Sequence, residues 1–206
     1  MQKNEVHLEP DCYYHIYNRA VGEEALFYSP ENYFYFLKKY REYLSPILET
    51  FSYCLIPNHF HFLVRIKNEE VIKKVMRKVY ETDEVKITVN LYISKQFSNF
   101  FNGYSQAINK QQMRRGTLFT RPFKRKKIDS MEYLRNVTVY IHSNPVNHGL
   151  AKGISEWQYS SYKSILLDSN NDLNRKEVIS WFEDATNFSI VHQTSVTKDA
   201  ITIELD

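Results

Sequence analysis

Two apolar runs, FSYCLI and HFHFLVRI, meet across the dipeptide Pro57-Asn58, and this restricts the fold more than any other stretch of the chain. Phe, Leu and Ile on both sides of a two-residue Pro-Asn break, with Tyr before it and Val after it, read as a β-hairpin. Successive strand residues face opposite ways, so Phe60, Phe62, Val64 and Ile66 share one face while His59, His61, Leu63 and Arg65 share the other. One face is core and the other is chemically mixed. A domain built on this hairpin holds an antiparallel sheet with two imidazoles on one side.

The flanking segments supply the other layers. YYHIYNRAV, from Tyr13 to Val21, reads as a first strand. Ser29 stands at an N-cap with Pro30 at the first helical position, and Phe36, Leu37, Tyr40 and Leu44 recur at helical spacing until Pro46. Val71, Ile72, Val75, Met76 and Val79 mark an amphipathic helix, and ETDEVKITVN behind it reads as an insertion near 80–92. Ile93, Phe97, Phe100, Phe101, Tyr104 and Ile108 define a long helix. TLFTRPFKRKKI then reads as a strand whose Pro122 suggests a sheet edge. Asp129 and Glu132 have capping-box spacing, and Leu134, Val137 and Ile141 continue a helix that Pro145 should end or bend. The order β, α, β, β, α, α, β, α predicts an α+β domain over 1–164, an antiparallel sheet with helices packed mainly on one face.

Charge is unevenly distributed. The 206 residues carry a net +3, yet 101–128 hold eight basic residues and no acidic one, while 165–206 hold eight acidic residues against three basic. The acidic end reads as a solubilising C-terminal extension, with cover of the basic surface as the alternative. In the basic segment Phe119 and Phe123 interleave with the charges, and the preceding helix adds Tyr104 and several amides. Lysine and arginine neutralise phosphates while rings stack on exposed bases, the pattern of single-stranded or hairpin DNA binding. Arg114, Arg115, Arg121, Lys124, Arg125, Lys126 and Lys127 are the candidate DNA contacts, a solvated strand face being the plainer alternative. No stretch approaches the ~18 uncharged apolar residues of a membrane helix, and the N-terminus lacks a signal-peptide core, which predicts a cytoplasmic protein. Cys12 and Cys54 read as two reduced thiols without a role.

His59 and His61 stand about 7 Å apart along the strand, close enough to reach one ion. Alone, a His-x-His pair is more often two ordinary polar residues, and as a ligand set it needs a third donor. Its context is informative. The run YCLIPNHFHFLV resembles the signature of the HUH single-tyrosine transposases, the insertion-sequence and REP-associated group; YIHSNPVNHGLA (140–151) resembles their nucleophile region, and WQYSSY (157–162) their closing motif.

The resemblance implies a palm-like antiparallel sheet of ferredoxin type. It implies cleavage of single-stranded DNA by a tyrosine hydroxyl, leaving a 5′-phosphotyrosine and a free 3′-OH, and rejoining by the reverse attack. Tyr140 matches the nucleophile, His59 and His61 the catalytic metal ligands, and Asn144 the position from which the family supplies a third ligand. A tyrosine of pKa ~10 is a weak nucleophile near neutrality, so a divalent metal that activates the phosphate suits the chemistry. Either magnesium or manganese would serve, and two imidazoles with an amide favour manganese. On a helix, Asn144 shares the face of Tyr140, whereas His142 does not. The family's Arg-Ala is replaced here by Asn147-His148, which leaves the usual arginine phosphate contact without a match and His148 as a weak substitute for it. Two other readings remain open: a domesticated, non-catalytic binder of structured single-stranded DNA, and a metal-dependent phosphodiesterase without a covalent intermediate. A monomer and a homodimer are both compatible with the sequence.

Overall fold

The computed structural model describes residues 7–82, 84, 86–169 and 172–197. Its first eight elements follow the expected order: β1 (Tyr13–Arg19), α1 (Pro30–Tyr43), β2 (Leu48–Ile56), β3 (His59–Ile66), α2 (Glu69–Tyr80), α3 (Val89–Gln111), β4 (Lys124–Ile128) and α4 (Met131–Asn147). The strands form one sheet in the order β2-β3-β1-β4, antiparallel at each pairing. With β1 and β2 flanking β3 and joined through α1, this is a ferredoxin-like arrangement. The basic strand β4 lies at an edge, where the missing N–H of nearby Pro122 breaks no ladder.

The parity of β3 separates the two faces as read from the pattern. Phe60 and Phe62 pack under Phe36 of α1 at ring separations of 5.1 and 6.3 Å, and Tyr40 stacks on Phe62 at 4.2 Å. Phe101 of α3 completes this layer against Phe60 at 6.1 Å. Such aromatic pairs add about 0.5–1.5 kcal/mol each beyond their burial. His61 faces the other way, edge-on to Tyr140 of α4 at 5.5 Å. The α+β class therefore stands, but the helical layer expected mainly on one face is joined by another on the opposite face. The two crossover helices α1 and α3 share a side, while α4 follows the last strand and is free to cover the other.

α4 begins one residue later than its spacing suggested. Ser130, not Asp129, is the cap, its hydroxyl accepting the Tyr133 N–H at 3.2 Å. The helix also runs two residues past Pro145. Proline removes only the N–H that would have bonded the Ile141 carbonyl, and the next turn closes through Asn144 and Pro145 carbonyls accepting from His148 and Leu150. Tyr140 and Asn144 thus remain on one continuous helix.

Beyond a single 3-10 turn at Ile154–Glu156 come α5 (Tyr162–Leu166), α6 (Arg175–Trp181) and α7 (Ala185–Thr197). Trp181 stacks on Phe51 of β2 at 5.2 Å, and Phe188 packs on Tyr162 and Phe182 at 5.5 and 5.1 Å. Asp172 pairs with Arg41, Glu177 with Arg65 and Asp168 with Arg175. The described part of the acidic end is thus packed structure, docked near the β2 edge, away from the basic strand β4. Asp199, Glu204 and Asp206 lie outside the described residues, as do positions 83 and 85 of the expected insertion. Phe188→Ala should cost about 3–5 kcal/mol by cavity formation, read from the urea midpoint; an unchanged midpoint would mean that α7 is not part of the core.

Cys12 and Cys54 are both free thiols. Among the described residues no helix is long and apolar enough to cross a membrane.

Candidate active site

Strand register gathers the site. Tyr17 pairs with His61, Arg19 with His59 and His15 with Leu63, so three side chains of β1 join the histidine face of β3. On the far side of β1, Lys124 pairs with Tyr17 and Lys126 with His15, so alternate residues of β4 reach the same face. α4 crosses above, with Tyr140 and Asn144 one turn apart. A cleft of about 400 Å³ results, lined by Tyr17, Asn18, Arg19, Asn58, His59, His61, Thr120, Lys124, Tyr140 and His148.

His59 is held at both nitrogens. Its Nδ1 lies 2.8 Å from Asn58 Oδ1 and its Nε2 lies 2.9 Å from Asn144 Oδ1. His61 sits behind it at a ring separation of 5.1 Å, with Nδ1 3.0 Å from His15 Nε2 and Nε2 buried without a hydrogen-bond partner. Burial is the main cause of depressed basicity throughout: His59 is held down to about 4, His15 to about 3 and His61 well below the usual imidazole range. For His59 the hydrogen bond to Asn144 opposes burial, while the nearby His148 ring and Arg19 guanidinium add to it; Lys126 adds to it for His15. At neutral pH these rings are uncharged, each with one N–H and one lone pair, and the contact between His15 and His61 takes up one lone pair of that pair. Burial raises the Tyr140 hydroxyl above its ordinary value, partly offset by the nearby Asn144 amide.

These donors fit a divalent ion. When His59 donates its Nδ1–H to Asn58, its Nε2 lone pair faces the Asn144 oxygen at 2.9 Å, and two acceptors that close are stabilised by a cation between them. Neighbouring ligands of an octahedral ion with bonds of about 2.1 Å stand about 3.0 Å apart, close to this separation. The orphaned Nε2 of buried His61 is a third donor without another use. Among the described residues no cluster of three or more His, Cys, Asp or Glu groups could hold a metal, so any such site here is a mixed imidazole and amide set.

The other expected DNA contacts are scattered by strand parity and by local pairing. Lys124 lines the cleft, and Lys126 lies beside it, over the Tyr133 ring at 5.4 Å. Arg125 and Lys127 point to the opposite face, Arg125 over the Phe123 ring at 4.7 Å and Lys127 paired with Glu9. Arg114 is engaged by Asn109, by the Thr117 carbonyl and by Glu24, which gives its guanidinium a structural task. Arg115 is exposed on the loop after α3. Arg121 lines a second groove of about 610 Å³ between α3 and residues 116–123, where Ser98, Asn102, Gln106 and Asn109 present polar groups. That groove meets the cleft at Asn18 and Thr120.

Two rings read as base-stacking platforms are not available for it. Phe119 is buried against Phe101, and Tyr104 is fully buried with its hydroxyl donating to the Leu26 carbonyl at 2.6 Å. Conversely, His15, Tyr17 and Arg19 escaped the sequence reading. Their parity on β1 was legible, but which strand lies beside which is a property of the whole sheet. His148 lies at the C-terminus of α4, its ring 4.8 Å from that of His59.

No protein-family model matches this chain. A curated protein of Haemophilus influenzae that carries the provisional name REP-associated tyrosine transposase is 28% identical over 116 residues, 55% of this chain and 58% of that protein. The chain thus matches little more than half the length of that relative. Among solved structures, a REP-associated tyrosine transposase bound to a REP hairpin has a similar fold, with a TM-score of 0.56 over 81% of this chain and 86% of that one at 14% identity.

Proposed function

We propose that this chain, a relative of the HUH tyrosine transposases in their REP-associated branch, is a metal-dependent transposase that cuts and rejoins single-stranded DNA through Tyr140. One observation carries the reading: His59 Nε2 and Asn144 Oδ1 stand 2.9 Å apart, beside the orphaned His61 Nε2, in the cleft that Tyr140 lines.

A divalent ion, magnesium or manganese, held by His59, His61 and Asn144 would polarise a non-bridging oxygen of the scissile phosphate. The protein's own groups do the rest. Arg19, Lys124 and His148 border the cleft and hold the phosphate from its open side. Tyr140 Oη attacks phosphorus and gives up its proton to solvent; the bond to the 3′ oxygen breaks, and that oxygen takes a proton from solvent, so that none is gained or lost. The products are a 5′-phosphotyrosine and a free 3′-OH, and the reverse attack by a 3′-OH restores the phosphodiester without an external energy source. Burial keeps the phenol protonated until substrate enters, and the nearby Asn144 amide favours developing charge on Oη.

A structured single strand suits the surroundings better than a duplex. The groove along α3 shares Asn18 and Thr120 with the cleft and, on a largely apolar lining, offers amides, hydroxyls and Arg121 to an unpaired strand, while Lys126 and Arg115 extend the basic surface. Labelled hairpin oligonucleotides with single-stranded flanks, drawn from DNA around the gene, test this directly. Cleavage should require manganese or magnesium and stop with EDTA. Tight hairpin binding that ignores EDTA, with no cleavage of any such substrate, would instead identify a non-catalytic binder.

A further inference from the structure

We propose that His15 is a positioning residue that sets which nitrogen of His61 faces the cleft, and through it the affinity of the site for a divalent ion. This rests on the reading of His61 as a ligand. His15 is fully buried in the middle of β1, and its Nε2 lies 3.0 Å from His61 Nδ1. The two rings are near parallel, 26° apart at 5.1 Å. Tyr17 stacks on His61 and packs tilted against His15, and Tyr140 meets both edge-on, so both ring planes are walled in.

Two neutral imidazoles at this distance share one proton, and it has two places to sit. In the first arrangement His61 carries it on Nδ1 and donates to His15; the Nε2 of His61 is then a lone pair facing the cleft, and His15 keeps its own proton on Nδ1. In the second, His15 donates from Nε2, and His61 must carry its proton on Nε2, where it blocks ligation. The unpartnered atoms are the same in both: His61 Nε2 and His15 Nδ1 are the buried nitrogens of the pair without a hydrogen-bond partner. Each arrangement therefore leaves one donor and one acceptor unsatisfied, and the pair by itself has no strong preference. A cation on His61 Nε2 selects the first. Without the acceptor at position 15, that selected state would bury an unsatisfied His61 Nδ1–H, and the cost would fall on ion binding.

Manganese binding to the full chain without DNA, followed by the free-ion electron paramagnetic resonance signal, separates the possibilities. His15→Phe fills the space without an acceptor and should weaken binding by about 10- to 100-fold, the usual effect of removing a ligand's outer partner. His15→Gln restores an amide oxygen and should recover most of the affinity. In wild-type protein loaded with magnesium, nitrogen-15 spectra of the imidazoles should place the His61 proton on Nδ1, a readout that depends on no variant folding. Equal manganese affinity in wild type and His15→Phe, or a His61 proton on Nε2 in the loaded protein, would overturn the role of His15 while leaving the metal site standing. Absence of binding to the wild type would overturn both.

Discussion

Acidification of the metal-free protein from pH 7 should unfold it by about pH 5, above the range where most carboxylates titrate. The cause is the state of the histidines. Five of the seven, His15, His59, His61, His142 and His192, are held below their ordinary basicity, in each case chiefly by burial. The pair outside the cleft has clear geometry. His192 donates from Nδ1 to the Phe188 carbonyl at 2.7 Å, which leaves its Nε2 to accept from His142 Nδ1 at 2.8 Å. His142 Nε2 then accepts from the Ser161 hydroxyl at 2.8 Å, and the same oxygen takes the Tyr53 N–H at 2.8 Å. This chain of bonds joins α7, α4 and β2 and is complete with both rings neutral. A proton added to His192 Nε2 sets it against the His142 Nδ1–H, and one added to His142 Nε2 forces the Ser161 hydroxyl round to the Tyr53 carbonyl at 3.2 Å and buries a charge.

The direction of the effect follows from proton counts. A histidine whose folded pKa is depressed binds fewer protons folded than unfolded, so stability is lost as pH falls through the unfolded value of about 6.5 and continues to fall toward the folded value, about 4 for His192. Five such groups remove on the order of 6 kcal/mol between pH 7 and 5.5, comparable with the whole 5–15 kcal/mol of an ordinary domain. Urea midpoints should therefore drop steeply across that interval in EDTA. A flat profile between pH 7 and 5.5 would show that these rings are not buried as neutral groups.

Tyr140→Phe should abolish the covalent DNA adduct and reduce strand cleavage by more than about 10³-fold, because it removes the attacking oxygen and nothing substitutes for it. Hairpin affinity should change little, since the ring and its edge contacts with His15 and His61 remain. Tyr17 is the informative control. It also lines the cleft, but it lies nearly flat on His15 and His61, 31° and 23° from their planes, and serves as a wall. Tyr17→Phe should leave adduct formation intact. Loss of the adduct in Tyr17→Phe, with retention in Tyr140→Phe, would exchange their roles.

Much of this was legible in the residues, for identifiable reasons. The hairpin around Pro57-Asn58 could be read because strand parity is local: alternate positions of β3 separate Phe60 and Phe62 from His59 and His61 whatever else the chain does. Tyr140 and Asn144 could be placed together because helical spacing is local as well, and the helix tolerated Pro145 at the cost of one bond. What escaped was non-local. His15 enters the site only because β1 lies beside β3, and Phe119 leaves the surface only because it finds Phe101 and Phe60. The C-terminal helices were obscured by their charge. Their acidic residues lie toward solvent or pair with arginines, while Val178, Trp181, Phe182 and Phe188 enter the core, and a net count over the segment averages the two faces.

If Tyr140 is the nucleophile of a metal-dependent strand transfer, its oxygen carries the cleaved DNA. The most direct test is to digest the protein after reaction with a cleavable hairpin and manganese, and to locate the nucleotide by peptide mass spectrometry. The adduct should lie on the peptide that contains Tyr140 and be absent when EDTA is present; an adduct on the peptide of Tyr17 or another tyrosine, or cleaved DNA with no adduct at all, would rule Tyr140 out as the nucleophile.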